Sequence, residues 1–97
     1  MYVLEVLSGP LDGKTWTFEN EITIGRDDAV AVACLTLDRY VSRRHASLRE
    51  DGDTLVLADL ASRNGTRKGE ESITSDTPIS LGERFMIGRT LLRVSRA

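Results

Sequence analysis

One cysteine, one histidine and five aromatic side chains are all that this chain of 97 residues holds of some of the most chemically versatile residue types. The single cysteine, Cys34, excludes an internal disulfide, and nothing in the sequence resembles a Cys/His zinc arrangement. A reducing, cytoplasmic location is expected. No apolar run approaches the ~20 residues that cross a bilayer as a helix, so membrane insertion is not expected. The opening MYVLEVLSG lacks a basic start and carries Glu5 inside its apolar stretch, which is not the pattern of a secretory signal. Basic excess is missing too: 13 Lys and Arg stand against 15 Asp and Glu, a net charge of −2. A general polyanion binder shows the opposite balance. Single-stranded nucleic acid also needs aromatic platforms, and the few aromatics here sit at core-like positions. No nucleic-acid partner is expected.

What the chain does have is alternation. Apolar residues recur at a period of two, with no convincing helix. Strands are predicted at 2–7, 14–18, 21–26, 34–37, 45–50, 53–60, 84–88 and 90–95, with 65–69 a short strand or turn. Turn chemistry separates them: Pro10 with Asp12-Gly13, then Asp51-Gly52, then Gly88-Arg89. Residues 27–34 hold several alanines that would suit a helix, but Val30 and Val32 alternate into 34–37 and favour a strand. Ten or so short strands at this spacing mean an all-β sandwich rather than a helical or βαβ fold. Residues 1–97 read as a single domain of ordinary small size, and an end close to the last strand fits one module of a longer protein.

Charge is unevenly spread along these strands. Arg39 to Arg44 and Arg63 to Lys68 are locally basic, whereas Glu19–Asp28 and Glu50–Asp59 are mostly acidic. Three segments at strand ends or loops carry the informative residues: Gly25-Arg26, then Ser42-Arg43-Arg44-His45, then Asn64-Gly65-Thr66 after Asp59-Leu60-Ala61-Ser62. Loops at one end of a sandwich gather in space although they are far apart in sequence.

The ordered set GR, SRxH and NGT, with roughly twenty residues between successive parts, resembles the forkhead-associated (FHA) domain. GPLDGKTWTF before it and LGERFMIGRTLLRV after it carry the likeness over nearly the whole chain. The resemblance implies a β-sandwich of about eleven short, mainly antiparallel strands (FHA/SMAD-like). It also implies loops at one end that bind phosphothreonine in a partner protein, and hence a functional link to a Ser/Thr protein kinase. It implies neither an enzyme nor a cofactor. By similarity, Arg26, Ser42 and Arg43 hold the phosphate, Asn64 fixes the peptide backbone, Arg63 borders the pocket, and His45 braces the loops without touching phosphate.

The residue types suit that chemistry. A phosphothreonine carries about −1.5 to −2 charges and three acceptor oxygens. Arginine offers a planar fork matched to phosphate oxygens, serine a short hydroxyl donor, and the turns at 42–43 and 63–64 add backbone amides. Asn64 has a donor and an acceptor in one amide, which suits a peptide main chain. Gly65 permits a positive φ beside Asn64, and Gly25 lets the chain turn without a Cβ next to the ligand loop.

Blander readings stand beside these. Arg26 taken singly is a solvated charge at a strand end, Ser42 a self-capping turn residue, and Asn64-Gly65 a tight hairpin turn. Arg44 is expected to face outward, and Arg39, Arg67 and Lys68 to be rim charges acting on association rate. Cys34 reads as a small buried apolar residue, and Trp16 and Phe18 as core or sheet-face residues. Ser42 and His45 invite a hydrolase reading, but their spacing gives no reason for a Ser–His hydrogen bond. A phosphate-independent scaffold for protein assembly is the main alternative function. Thr66-Arg67-Lys68-Gly69 and the long polar EESITSDTPISLG depart from the family pattern, which bears on peptide preference rather than on phosphate binding.

Overall fold

The alternating segments become eleven strands in a computed structural model that describes all residues, Met1–Ala97. In chain order these are β1 (Tyr2–Val6), β2 (Thr15–Phe18), β3 (Glu21–Gly25), β4 (Ala33–Cys34), β5 (Ala46–Asp51), β6 (Thr54–Asp59), β7 (Thr66–Lys68), β8 (Glu71–Ser72), β9 (Thr77–Ile79), β10 (Arg84–Ile87) and β11 (Thr90–Arg96). One sheet runs β2-β1-β11-β10-β7-β8 and the other β4-β3-β5-β6-β9. Only β3 and β4 pair in parallel. No helix is long and apolar enough to cross a membrane.

Alternation decides which side chains lie between the sheets. Leu4 and Val6 of β1, Phe85 and Ile87 of β10, and Leu92 and Val94 of β11 face inward from one sheet. Ile22 and Ile24 of β3, Leu48 of β5, and Leu55 and Leu57 of β6 meet them from the other. Each such side chain contributes about 1.5–3 kcal/mol by leaving water. Phe18 joins this core and Trp16 packs against it half-buried, both as expected of sheet-face residues.

Register then places the loops. Ile24 pairs with Ala46, and Ala46 pairs with Asp59. These three residues form one row across β3, β5 and β6. Gly25-Arg26 leaves the sheet just beyond that row, His45 enters just before it, and Leu60 to Gly65 departs from it. The Asn64-Gly65 segment is therefore not a hairpin turn: it carries the chain from β6 in one sheet to β7 in the other.

Two stretches differ from the sequence expectation. The strand expected at 34–37 is only Ala33–Cys34, an edge strand on β3. A turn closed by Asp38 N–H donating to Leu35 O at 3.2 Å ends it, and Asp27 delays its start: the Asp27 carbonyl accepts from Val30 N and Ala31 N, and its carboxylate accepts from Ala29 N. The buried parity is Ala31, Ala33 and Leu35, which leaves Val30 and Val32 facing solvent. In the polar stretch after Gly69 the short strands β8 and β9 had no apolar period to announce them. Pro78 fits β9 because that strand lies at a sheet edge, where a missing N–H costs little.

Gly25 shows why its place admits no side chain. Its φ lies outside the left-handed region, so conformational freedom is not the reason. A Cβ there would fall 2.0 Å from Arg43 O and 2.8 Å from the Arg43 carbonyl carbon. Both are backbone atoms and cannot swing aside. Gly25→Ala is expected to lower stability by about 1–3 kcal/mol, the range for overpacking. Urea denaturation monitored by Trp16 fluorescence measures this; an unchanged midpoint would show that the Arg43 carbonyl gives way.

Candidate functional site

The loops beyond the Ile24–Ala46–Asp59 row enclose an open groove of about 350 Å³. Five arginines line it, Arg26, Arg39, Arg43, Arg44 and Arg63, together with Ser42, Asn64 and the 40–41 backbone segment. No carboxylate is among its lining residues, and none of the five guanidiniums takes part in a salt bridge. Asp27 and Asp28 stand outside, in an adjoining depression that shares Arg26 and Arg43. A chain of net charge −2 has thus gathered five of its 11 arginines around one concavity.

Arg26, Ser42 and Asn64 are each held from behind. Arg26 donates its backbone N–H to Ser42 O at 3.0 Å and its Nε–H to Val41 O at 2.9 Å, which leaves both terminal NH2 groups uncommitted. Ser42 Oγ accepts from Arg63 N at 3.0 Å, so its own hydroxyl proton is free to donate. Asn64 Nδ2 donates to Tyr40 O at 2.8 Å, which leaves Oδ1 and one N–H. The backbone N–H groups of Arg43, Arg44 and Asn64 make no hydrogen bond within the protein. Of the amides expected to serve a ligand, those of Ser42 and Arg63 are engaged internally, on His45 and on Ser42 Oγ.

Beneath the groove lies His45, fully buried. Its Nδ1 accepts from Ser42 N at 3.0 Å, and its Nε2 lies 2.9 Å from Gly65 O. A ring nitrogen that accepts an N–H carries no proton, so Nε2 carries it and donates to the carbonyl. The ring is therefore neutral and in one tautomer, tying the Ser42 loop to the Gly65 loop. Because Nδ1 faces the Ser42 amide and not its hydroxyl, Ser42 and His45 form no nucleophile–base pair.

Sequence reasoning gave Asp59 no role, yet it organises the 60–65 loop. Its carboxylate accepts from the hydroxyls of Ser62 and Thr66 and from Ser62 N. Ser62 Oγ in turn accepts from Gly65 N at 3.0 Å. The loop holds two left-handed residues, Ala61 at φ 58° and Gly65 at φ 84°; the first is unusual for a non-glycine residue. Burial alone would raise the Asp59 pKa, but the hydrogen bonds from the Ser62 hydroxyl, the Thr66 hydroxyl and Ser62 N outweigh it and hold the carboxyl below its ordinary value. The signal available in the sequence was the spacing Asp59…Ser62, which makes a carboxylate-capped turn.

Cys34 is half-buried rather than buried as expected, with its thiol 3.3 Å from Arg26 O. Burial, with the carboxylates of Asp28 and Asp27, pushes its pKa up, which disfavours a reactive thiolate. Arg44, expected to face outward, is exposed and also lines the groove, because residues 42–45 form an irregular loop rather than a strand with alternating faces.

Two sheets of six and five strands, with ligand-competent loops on one rim, define an FHA domain. Residues 5–97 match the family described as inner membrane component of T3SS, cytoplasmic domain, and the chain belongs to it. Among solved structures, the FHA domain of the CT664 protein from Chlamydia trachomatis superposes with a TM-score of 0.90 at 24% identity, covering 99% of this chain and 97% of that one. An FHA domain from a study of phosphothreonine-dependent FHA domain interactions has a TM-score of 0.83 at 31% identity, covering 99% and 96% of the two chains. The oxoglutarate dehydrogenase inhibitor of Corynebacterium jeikeium (strain K411) is 33% identical over 87 residues, or 90% of this chain. The chain spans 59% of that curated relative's length.

The Asp59 network sets a pH dependence. A carboxyl with a depressed folded-state pKa stabilises the fold above the unfolded-state pKa of about 4, and that stabilisation is lost as pH falls through the folded value. Asp59→Asn is expected to be less stable than the parent by about 1–3 kcal/mol at pH 7. The gap should close in acid, below about pH 4. Paired denaturation curves across that range measure it; a pH-independent gap would show that the charge plays no part.

Proposed function

We propose that this domain is a non-catalytic recognition module that binds phosphothreonine-bearing segments of partner proteins in the cytoplasm, after a Ser/Thr protein kinase has modified them. The observation that carries this reading is the groove of five unpaired guanidiniums with no carboxylate lining it. Such a surface repels itself until an anion arrives. Its depth and its fixed donors suit a compact, multiply accepting anion such as a phosphate monoester. Arg26 and Arg43 supply the charge, the Ser42 hydroxyl a short-range donor, and the Arg43 amide a further one. Asn64, with Oδ1 and one N–H uncommitted, takes the peptide main chain on the rim, beside Arg63. His45, Gly25 and Gly65 hold the loops. The relative of 31% identity studied for phosphothreonine-dependent interactions supports the same ligand.

A second reading has its own support. The matching family is described as a component of a secretion apparatus, which favours a scaffold that assembles without phosphate. Arg26, held at Val41 O with both terminal nitrogens free, speaks for an anion instead.

Calorimetric titration with one peptide in three forms separates the two. The phosphothreonine form should bind, and the unphosphorylated form should not; equal binding of both would establish the scaffold reading. Phosphoserine should bind weaker by about 0.8 kcal/mol, roughly fourfold, for the one methyl left unburied. Arg26→Ala should cost about 2–5 kcal/mol of phosphopeptide affinity, as when a desolvated charge loses its partner. Undiminished affinity in that variant, with its fold intact, removes Arg26 from the site.

A further inference from the structure

The groove holds more positive charge than one phosphate can answer. A phosphothreonine brings about −1.5 to −2 charges, which two guanidiniums already balance. Three of the lining arginines, Arg39, Arg44 and Arg63, then remain without a counter-charge, since no carboxylate lines the groove. Covering them with a neutral peptide would desolvate cations with nothing to replace the lost water.

The positive surface also extends in one direction. Arg39 and Tyr40 line the groove and, at the same time, a neighbouring pocket of about 210 Å³ bounded by Leu11, Leu37 and Arg89. There the Arg89 guanidinium lies over the Tyr40 ring, 4.1 Å from its centroid. The single carboxylate in that pocket, Asp38, is turned into the fold. It accepts from Tyr40 N, Arg89 N and the Thr90 hydroxyl. Arg39 makes no hydrogen bond or salt bridge and is exposed. The depression that shares Arg26 and Arg43 with the groove is different in kind, because Asp27 and Asp28 line it. Two carboxylates thus stand beside those two arginines, whereas the pocket shared through Arg39 and Tyr40 has two guanidiniums and one carboxylate bonded internally.

Resting on the reading of the groove as a phosphothreonine site, we infer that the domain recognises a second negative group on the same peptide, on the flank that lies toward Tyr40, with Arg39 as the residue that reads it. The group is either an acidic side chain or a second phosphate. Arg39 is then a specificity residue and not only a rim charge that speeds encounter.

The test uses phosphothreonine peptides with neutral flanks, and sets in which a single glutamate or a second phosphothreonine is walked along either flank. One flank should show a position where glutamate tightens binding by about fivefold, the upper range for an exposed ion pair; a larger gain from the second phosphothreonine than from glutamate identifies a phosphate as the preferred group. The gain should lie in slower dissociation, because rim steering acts on association instead. Arg39→Ala should erase the gain, weakening the glutamate-flanked peptide about fivefold more than the neutral-flanked one. Arg39→Glu should transfer the preference to lysine at the same position. Gains below about 1.5-fold everywhere, or an Arg39→Ala loss equal for all peptides, would overturn the inference while the neutral peptide still binds. Failure of every phosphothreonine peptide would instead overturn the underlying reading, and this inference with it.

Discussion

A neutral imidazole sealed from water ties the rim together. His45 accepts the Ser42 amide on one nitrogen and donates to the Gly65 carbonyl from the other. Those two partners belong to loops that leave the β-sandwich at different places, and the second loop crosses between its sheets. The ring is fully buried, so losing either bond would leave one of its nitrogens unsatisfied at about 1–3 kcal/mol. Only one tautomer serves both bonds. Protonation of Nδ1 would set two N–H groups against each other, which couples the integrity of the rim to the neutrality of this ring.

Around that brace the chain solves an electrostatic problem. Five guanidiniums without partners repel one another, and a flexible loop would relax by spreading them apart. Here the backbone beneath them is fixed. Arg26 is anchored at Val41 O, Arg63 N at Ser42 Oγ, and Asn64 at Tyr40 O, while the Asp59 carboxylate gathers three donors to hold the 60–65 turn. Hydrogen bonds to a charged acceptor are the stronger kind, and Asp59 sets its negative charge just below the positive rim without lining the groove. The self-repulsion is retained as readiness to bind an anion rather than dissipated as disorder. It is carried by the hydrophobic core, where both sheets bury their inward residues independently of what the loops do.

Much of this was legible in the sequence, and the limits have physical causes. Strands β1, β2, β3, β10 and β11 announced themselves because their inward residues alternate with more exposed ones, and β5 and β6, buried on both faces over part of their length, through the turn at Asp51-Gly52 between them. The segment before β4 misled by parity: its valines suggested a longer strand, but the side chains that reach the core are the smaller Ala31 and Ala33 together with Leu35. Strand β8 buries nothing and β9 only Ile79, so no apolar period exists to be read. At the rim, the arginines and Ser42 could be found from their sequence order. What could not be found were the bonds to backbone carbonyls at Tyr40 and Val41, because a carbonyl is common to every residue. Asp59 was hidden for a related reason, since an aspartate before a turn is ordinary until its three donors are seen together.

Gly25 joins these levels. The residue sits one step beyond the row Ile24, Ala46 and Asp59, where β3 gives way to the Arg26 loop. Arg43 O approaches so closely that no Cβ fits between the two segments. That contact brings the backbone of the Ser42 loop against the strand that carries Arg26, and the Arg26 N to Ser42 O and Asp27 N to Arg43 O hydrogen bonds continue it. The distance between the first arginine and the serine is therefore set by main-chain packing, not by side-chain choice. An anion-binding rim built this way can exchange its outer arginines, and with them its preference among ligands, without disturbing the frame that holds Arg26, Ser42 and Asn64 in common reach.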